Sequence, residues 1–264
     1  MKTMLVLSMG ALLLAGTLSA QTPVPEWQAG VDKMKSLIQT NPAQASEEVG
    51  ELLKGKNKKN VDLVTSVAHV YLDAGKLTEA QEYLAMAKKA NNKDPKVSVL
   101  EGDIALAQKN IGQACQLYEQ AIYFDPNCKE AYLKYAQAYK SASPALAIEK
   151  LEQLKAVDPN CLEADRELAE VYYSSNRFGK AAEMYAKFID TPLATEDDML
   201  KYAFALFLNH DFEKSLQVAQ KGLQKNARHA AFNRLVMYNN TDLKRYEDAE
   251  KAAHAFFNAS DRAD

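Results

Sequence analysis

The 264-residue chain is poor in the residues that punctuate or brace a fold: 10 glycines, 8 prolines, 3 cysteines and 1 tryptophan. So few glycines and prolines leave little turn chemistry for a sandwich or barrel of many short strands. Val, Ile and Thr together number only 29, so the β-branched residues that favour strands are scarce as well. Three cysteines are too few, and odd, for a disulfide framework. Excess charge of one sign is also missing. The 32 Lys and Arg against 35 Asp and Glu leave a net charge of -3, which gives no basic footprint for nucleic acid. The four histidines (His69, His210, His229 and His254) fall in neither His-Glu-x-x-His nor Glu-x-x-His spacing, so metal chemistry has no scaffold. Gly-x-Ser-x-Gly and Gly-x-Gly-x-x-Gly are absent too. No catalytic residue and no cofactor is expected, and an enzyme is the least supported function class. What is abundant is alanine, with 41 residues, the best helix former. An all-α protein is expected.

The chain opens with Lys2, an apolar run from Met4 to Leu18, and Ser19-Ala20-Gln21. A positive start, a short apolar stretch and a small residue at its end describe a secretory signal cleaved after Ala20. Fifteen apolar residues are short of the roughly 20 that span a bilayer. No cysteine follows the cut to carry a lipid, and no later run is apolar enough to cross a membrane. Cleavage removes one lysine, so 31 basic and 35 acidic residues would leave a mature charge of -4. Export to a bacterial periplasm or beyond is expected.

A period of about 34 residues runs through the rest. Small residues recur at Ala80, Ala114, Ala147, Ala181, Ser215 and Ala249, in steps of 34, 33, 34, 34 and 34. Four places downstream stand Leu84, Tyr118, Leu151, Tyr185, Ala219 and Ala253; seven downstream stand Ala87, Ala121, Leu154, Phe188, Gly222 and Phe256. Offsets of 4 and 7 trace one helix face. An upstream helix precedes each row, carrying for example Tyr132, Tyr135, Ala136 and Tyr139. The string Asp-Pro-Asn-Cys at 125–128 returns at 158–161. Pro there ends the second helix, because it lacks an N–H and restricts the residue before it.

Two helices per 34 residues, with Gly102-Asp103-Ile104-Ala105, then Ala114, Tyr118, Ala121 and Asp125-Pro126-Asn127, resemble the tetratricopeptide repeat. The resemblance places units at 26–60, 61–94, 95–128, 129–161, 162–195, 196–229 and 230–263. It implies a right-handed superhelical solenoid of about seven hairpins, with first helices lining a concave surface. The inner-facing positions it implies are Asp62, Thr65, His69 and Asp73; Lys96, Val99, Asp103 and Leu106; Glu130, Leu133, Gln137 and Lys140; Glu163, Arg166, Glu170 and Tyr173; Asp197, Leu200, Phe204 and Phe207; and Arg234, Tyr238 and Thr241. Members of the family that bind a terminal carboxylate do so with a Lys/Asn clamp. At the corresponding places stand Thr65, His69, Leu100, Glu130 and Lys134, of which only Lys134 would serve.

Other patterns read as structure. Gly50-Glu51-Leu52-Leu53-Lys54-Gly55-Lys56 approaches a phosphate-binding loop, but Asn57 replaces the metal-binding hydroxyl and a helix precedes it rather than a strand. Glu47-Glu48 and Asp197-Asp198 are expected at helix starts, where the dipole favours acids. Lys54, Lys56, Lys58 and Lys59 read as a solvated turn. Asn239-Asn240-Thr241 and Asn258-Ala259-Ser260 fit the glycosylation sequon, relevant only in a eukaryotic host. Cys115, Cys128 and Cys161 are expected to be unpaired, with Cys115 starting a helix that Cys128 ends.

The inner face changes character along the chain, from polar and mixed in charge to aromatic. The expected partner site is Arg166, Glu170, Tyr173, Phe204, Phe207, Arg234 and Tyr238. Tyr173, Phe204, Phe207 and Tyr238 are expected to form one surface, with the two arginines free to pair with a carboxylate. The leading reading is a non-enzymatic scaffold for a protein or peptide partner. The alternative is a carrier or capture module for polysaccharide or cell-wall fragments, because aromatic rings also stack on sugars. Self-association is the remaining fate for such rings.

Overall fold

In the computed structural model the described residues are 24–260, and every regular element among them is helical. The helices are α1 (Gln28–Leu37), α2 (Pro42–Leu52), α3 (Val61–Asp73), α4 (Leu77–Ala90), α5 (Pro95–Ala107), α6 (Ile111–Phe124), α7 (Lys129–Tyr139), α8 (Pro144–Val157), α9 (Leu162–Ser174), α10 (Phe178–Phe188), α11 (Glu196–Leu208), α12 (Phe212–Lys225), α13 (Ala230–Asp242) and α14 (Tyr246–Ser260). A 3-10 turn over Gly55–Lys59 joins α2 to α3. The expected signal sequence, residues 1–20, lies outside the described residues.

Consecutive helices pack as seven hairpins stacked into a solenoid. The small-residue row sits where the helices of each hairpin cross. Ala80, Ala114, Ala147, Ala181 and Ser215 are all fully buried, because larger side chains would force the helices apart. Tyr118, Leu151, Tyr185 and Phe188 from the downstream rows plug the space between hairpins and are equally buried. Ser215 departs from alanine without leaving a polar orphan. Its hydroxyl donates to the Ala203 carbonyl at 2.8 Å and accepts from Asn239 Nδ2 at 2.8 Å. That burial takes Asn239 out of reach of glycosylation in the folded chain.

The turn inside each hairpin is a Schellman closure. Gly75, Lys109, Asn176, His210 and Lys244 all lie at positive φ, and the following N–H returns to a carbonyl five residues earlier, as from Asn110 to Ala105. Only the second hairpin uses glycine for this left-handed position. The fourth hairpin has no such residue: its turn between Tyr139 and Pro144 is one residue shorter, which produces the single step of 33. Between hairpins, Asn91, Asp125, Asp158 and Asn226 each accept a bond from the backbone N–H two residues on, closing the second helix in an Asx turn. The junction after α10 differs. The helix stops at Phe188, and seven residues, Ile189–Thr195, lead to α11.

First helices contact the first helices of neighbouring hairpins, as α1 with α3, α3 with α5, α5 with α7, α7 with α9 and α11 with α13; second helices make no comparable contact with one another. The stack therefore closes on the first-helix side, which is its inner face. The same contact falls away between α9 and α11, beside the long connector.

Three sequence expectations are corrected. Glu47 and Glu48 lie within α2, which starts earlier at Pro42 under an Asn41 cap. Val99 is not on the inner surface but 1% exposed in the core, packed in the cluster that holds Tyr118 and Tyr135. Cys128 does not end the helix of Cys115. That helix ends at Phe124, and Cys128 and Cys161 cap the starts of α7 and α9.

Candidate functional site: the inner face of the first helices

Local sequence sets how each first helix presents its side chains. Asn60 caps α3, Asp94 caps α5, and Thr195 with Asp198 forms a reciprocal capping box at α11. Asp197 stands in the same first turn, as expected of an acid near the helix dipole. Fixed helix starts fix the register, and the register turns every third or fourth residue inward.

The inward residues mostly engage each other across hairpins. Lys96 pairs with Asp62, Lys129 with Glu163 at 2.8 Å, and Gln137 donates to Glu167 at 2.7 Å. Asp103 is the most enclosed. It accepts from His69 Nε2 and Lys134 Nζ, both at 3.0 Å, and from the Tyr118 hydroxyl at 2.7 Å. Burial pushes its pKa up, but these three partners together hold it below the ordinary carboxylate value. The arrangement recurs two hairpins later: Glu170 accepts from the Tyr185 hydroxyl at 2.9 Å and from Lys201 at 2.9 Å. Tyr118 and Tyr185 are pushed up by burial and by the carboxylate each one serves, so both stay protonated donors. Sequence reasoning named the acids but missed the pairing. Its signal was there, since Lys134 and Lys201 each stand 31 residues after their acid, and Tyr118 and Tyr185 each 15 after.

This network changes the expected site. Arg166 is not free for a ligand: it binds Asp198, itself 1% exposed, at 3.0 Å. Glu170 is engaged as described. Lys134, the one residue suited to a carboxylate clamp, is held by Asp103. The aromatic residues divide. Tyr173 packs edge-on against Phe178, 5.7 Å between ring centres, within the cluster built on α8 to α10. Phe204 and Phe207 are half-buried against a separate cluster that includes Met199, Phe232 and Leu235. There Arg234 lies over the Phe204 ring at 5.8 Å, and Phe207 stacks with Tyr238 at 6.0 Å. Tyr238 is 41% exposed. The structure thus brings together Phe204, Phe207, Arg234 and Tyr238 from α11 and α13, and leaves Tyr173 in another cluster. Leu106, Leu133 and Leu200 are partly buried core neighbours, whereas Asp73 and Thr241 are exposed.

Among the described residues, no group of three or more His, Cys, Asp or Glu is placed to hold a metal ion. No described helix is long and apolar enough to cross a membrane. All three cysteines are free, and burial pushes the Cys115 thiol up to about 11. Gly50–Lys56 spans the end of α2 and the start of the 3-10 turn, with Gly55 at positive φ and no strand before it.

The tetratricopeptide repeat model matches residues 68–131 and 137–194. No curated protein matches the sequence. Among solved structures, the chain is similar to PilW, described as a widely conserved type IV pilus biogenesis factor. The identity is 17% and the TM-score 0.60, with 76% of this chain and 94% of that one covered. It is similar to a tetratricopeptide repeat protein from Parabacteroides merdae, at 15% identity and TM-score 0.54 over 90% and 93% of the two chains. It is also similar to YrrB, a protein described as having an unusual peptide-binding site, at 14% identity and TM-score 0.51 over 69% and 94%. The matched segments, the buried 34-residue rows and the stacked hairpins together support the tetratricopeptide repeat family for this helical solenoid.

Proposed function

We propose that the protein is a non-enzymatic interaction scaffold, exported to a bacterial envelope, that receives a protein or peptide on the inner face of its solenoid. The observation that carries this reading is the half-exposed aromatic group of α11 and α13. Tyr238 stacks on Phe207, and Arg234 on Phe204, on the side where first helices line the curve. Aromatic side chains bury much area at low entropic cost and dominate interface hot spots. The peptide-binding site described for YrrB adds a precedent on the same fold.

A photo-reactive amino acid at Tyr238 is expected to capture the partner, while one at Tyr123 on α6, 82% exposed, is not. With that partner in hand, Phe204→Ala combined with Tyr238→Ala is expected to lose about 2–4 kcal/mol of binding by calorimetry. Circular dichroism reports whether the double variant keeps its fold. Normal binding by the folded double variant would overturn the reading. Capture of glycan rather than polypeptide would favour the carrier alternative.

A further inference from the structure

The opposite end of the inner face holds a pocket of ≈ 340 Å³, lined by Trp27, Asp62, Thr65, His69, Lys96 and Glu130. Its walls come from the segment before α1 and from three successive first helices, α3, α5 and α7. Most of its polar groups are already engaged. The Thr65 hydroxyl donates to the Val61 and Asp62 carbonyls, and His69 is bonded to Asp103. Lys96 is paired with Asp62. Its pKa is raised first by that bond, which outweighs partial burial, with Asp62, Asp94 and Glu130 adding to the pull. Glu130 is exposed and makes no hydrogen bond or ion pair among the described residues. Taking His69 as neutral, Asp62, Lys96 and Glu130 leave one uncompensated negative charge. The half-buried indole of Trp27 stands in the same wall. An anion entering here would meet Glu130 and Asp62. A cation would meet an unpaired carboxylate and an aromatic ring, which attracts positive charge through its quadrupole.

We propose that this pocket takes a cationic group of a polypeptide partner, an arginine or lysine side chain, against the Glu130 carboxylate and the Trp27 indole. The proposal rests on the reading that the inner face receives a polypeptide, and its own chemistry can be tested without that partner.

Trp27 is the only tryptophan in the chain, so its fluorescence reports this pocket alone. The full chain is titrated with acetyl-Arg-Gly-Arg-amide, and with the same peptide carrying Gln or Glu in place of Arg. A saturable change with the arginine peptide only is expected, weakened at least about fivefold by Glu130→Gln and tightened by Lys96→Gln, which frees Asp62. Glu247→Gln, an exposed acid on α14 at the far end of the solenoid, should change nothing. Circular dichroism confirms that each variant is folded. No saturable change, an equal response to the Gln peptide, or an unaltered Glu130→Gln titration would overturn the proposal. None of these results depends on Phe204 or Tyr238, so failure here and failure of the partner reading at α11 and α13 are separate outcomes.

Discussion

Gly102 lies inside α5 against the ring of Tyr118. A Cβ built there would stand 2.5 Å from Tyr118 Cε1 and 2.8 Å from Cδ1. The ring has no free side to retreat to, because Tyr118 is fully buried and its hydroxyl is bonded to Asp103. Gly102→Ala therefore sets two effects against each other. Alanine in a helix interior is worth about 1 kcal/mol over glycine. Forcing the ring aside costs about 1–3 kcal/mol in overpacking, and weakening a hydrogen bond to a charged group adds about 1–2 kcal/mol. A net loss of about 2 kcal/mol is expected, read as a lower urea midpoint by far-UV circular dichroism. Because contacts run only between neighbours, hydrogen exchange should show the loss starting in hairpins two to four. Gly50→Ala is the matched control: it also lies in a helix, α2, and a Cβ there meets nothing within 4 Å. It should stabilise by about 0.5–1 kcal/mol. If Gly102→Ala stabilises as Gly50→Ala does, the plug formed by Tyr118 is not closed and the packing argument fails.

Ala181→Leu, at a fully buried helix crossing, should destabilise by about 1–3 kcal/mol on the same assay, with loss beginning in hairpins four to six. Asp103 has a lowered pKa, so its contribution is complete above its unfolded value near 4 and is lost as pH falls through the folded value. Asp103→Asn should therefore flatten the acid limb of the stability curve below about pH 4. His210→Gly relieves a positive φ in the turn of the sixth hairpin and should raise the thermal midpoint, by an amount corresponding to about 1 kcal/mol. With a thiol-specific reagent, Cys128 should react before Cys115 and Cys161, which are buried.

The helical class and its period were legible because the small residues at helix crossings cannot vary freely. The irregular step from Ala114 to Ala147 was legible too, but its cause, a turn without a left-handed residue, is a backbone property that no side chain announces. Inner-face positions were read less well. Val99 and Asp103 satisfy the spacing for the groove, yet stacking of α3, α5 and α7 encloses them. Arg166 and Glu170 looked available because their partners, Asp198 and Lys201, sit a full unit away in sequence. The Phe204, Phe207 and Tyr238 group was found because aromatic residues are conspicuous on a polar stripe. Tyr173 was grouped with them on spacing alone, and packing against Phe178 separates it.

Where α10 stops short, first helices α9 and α11 lose their close approach, and two long-armed ion pairs, Arg166 to Asp198 and Lys201 to Glu170, span the space instead. Coupling across every other step is a matter of shape, and so nearly indifferent to ionic strength. At this step it has a component that dissolved salt weakens. The solenoid is thus an array with one electrolyte-tuned link: five hairpins on one side, two on the other, and the aromatic group of α11 and α13 on the shorter arm. In dilute buffer the arms should melt together. In concentrated salt the carboxy-terminal pair should part company first, giving a second transition where there was one.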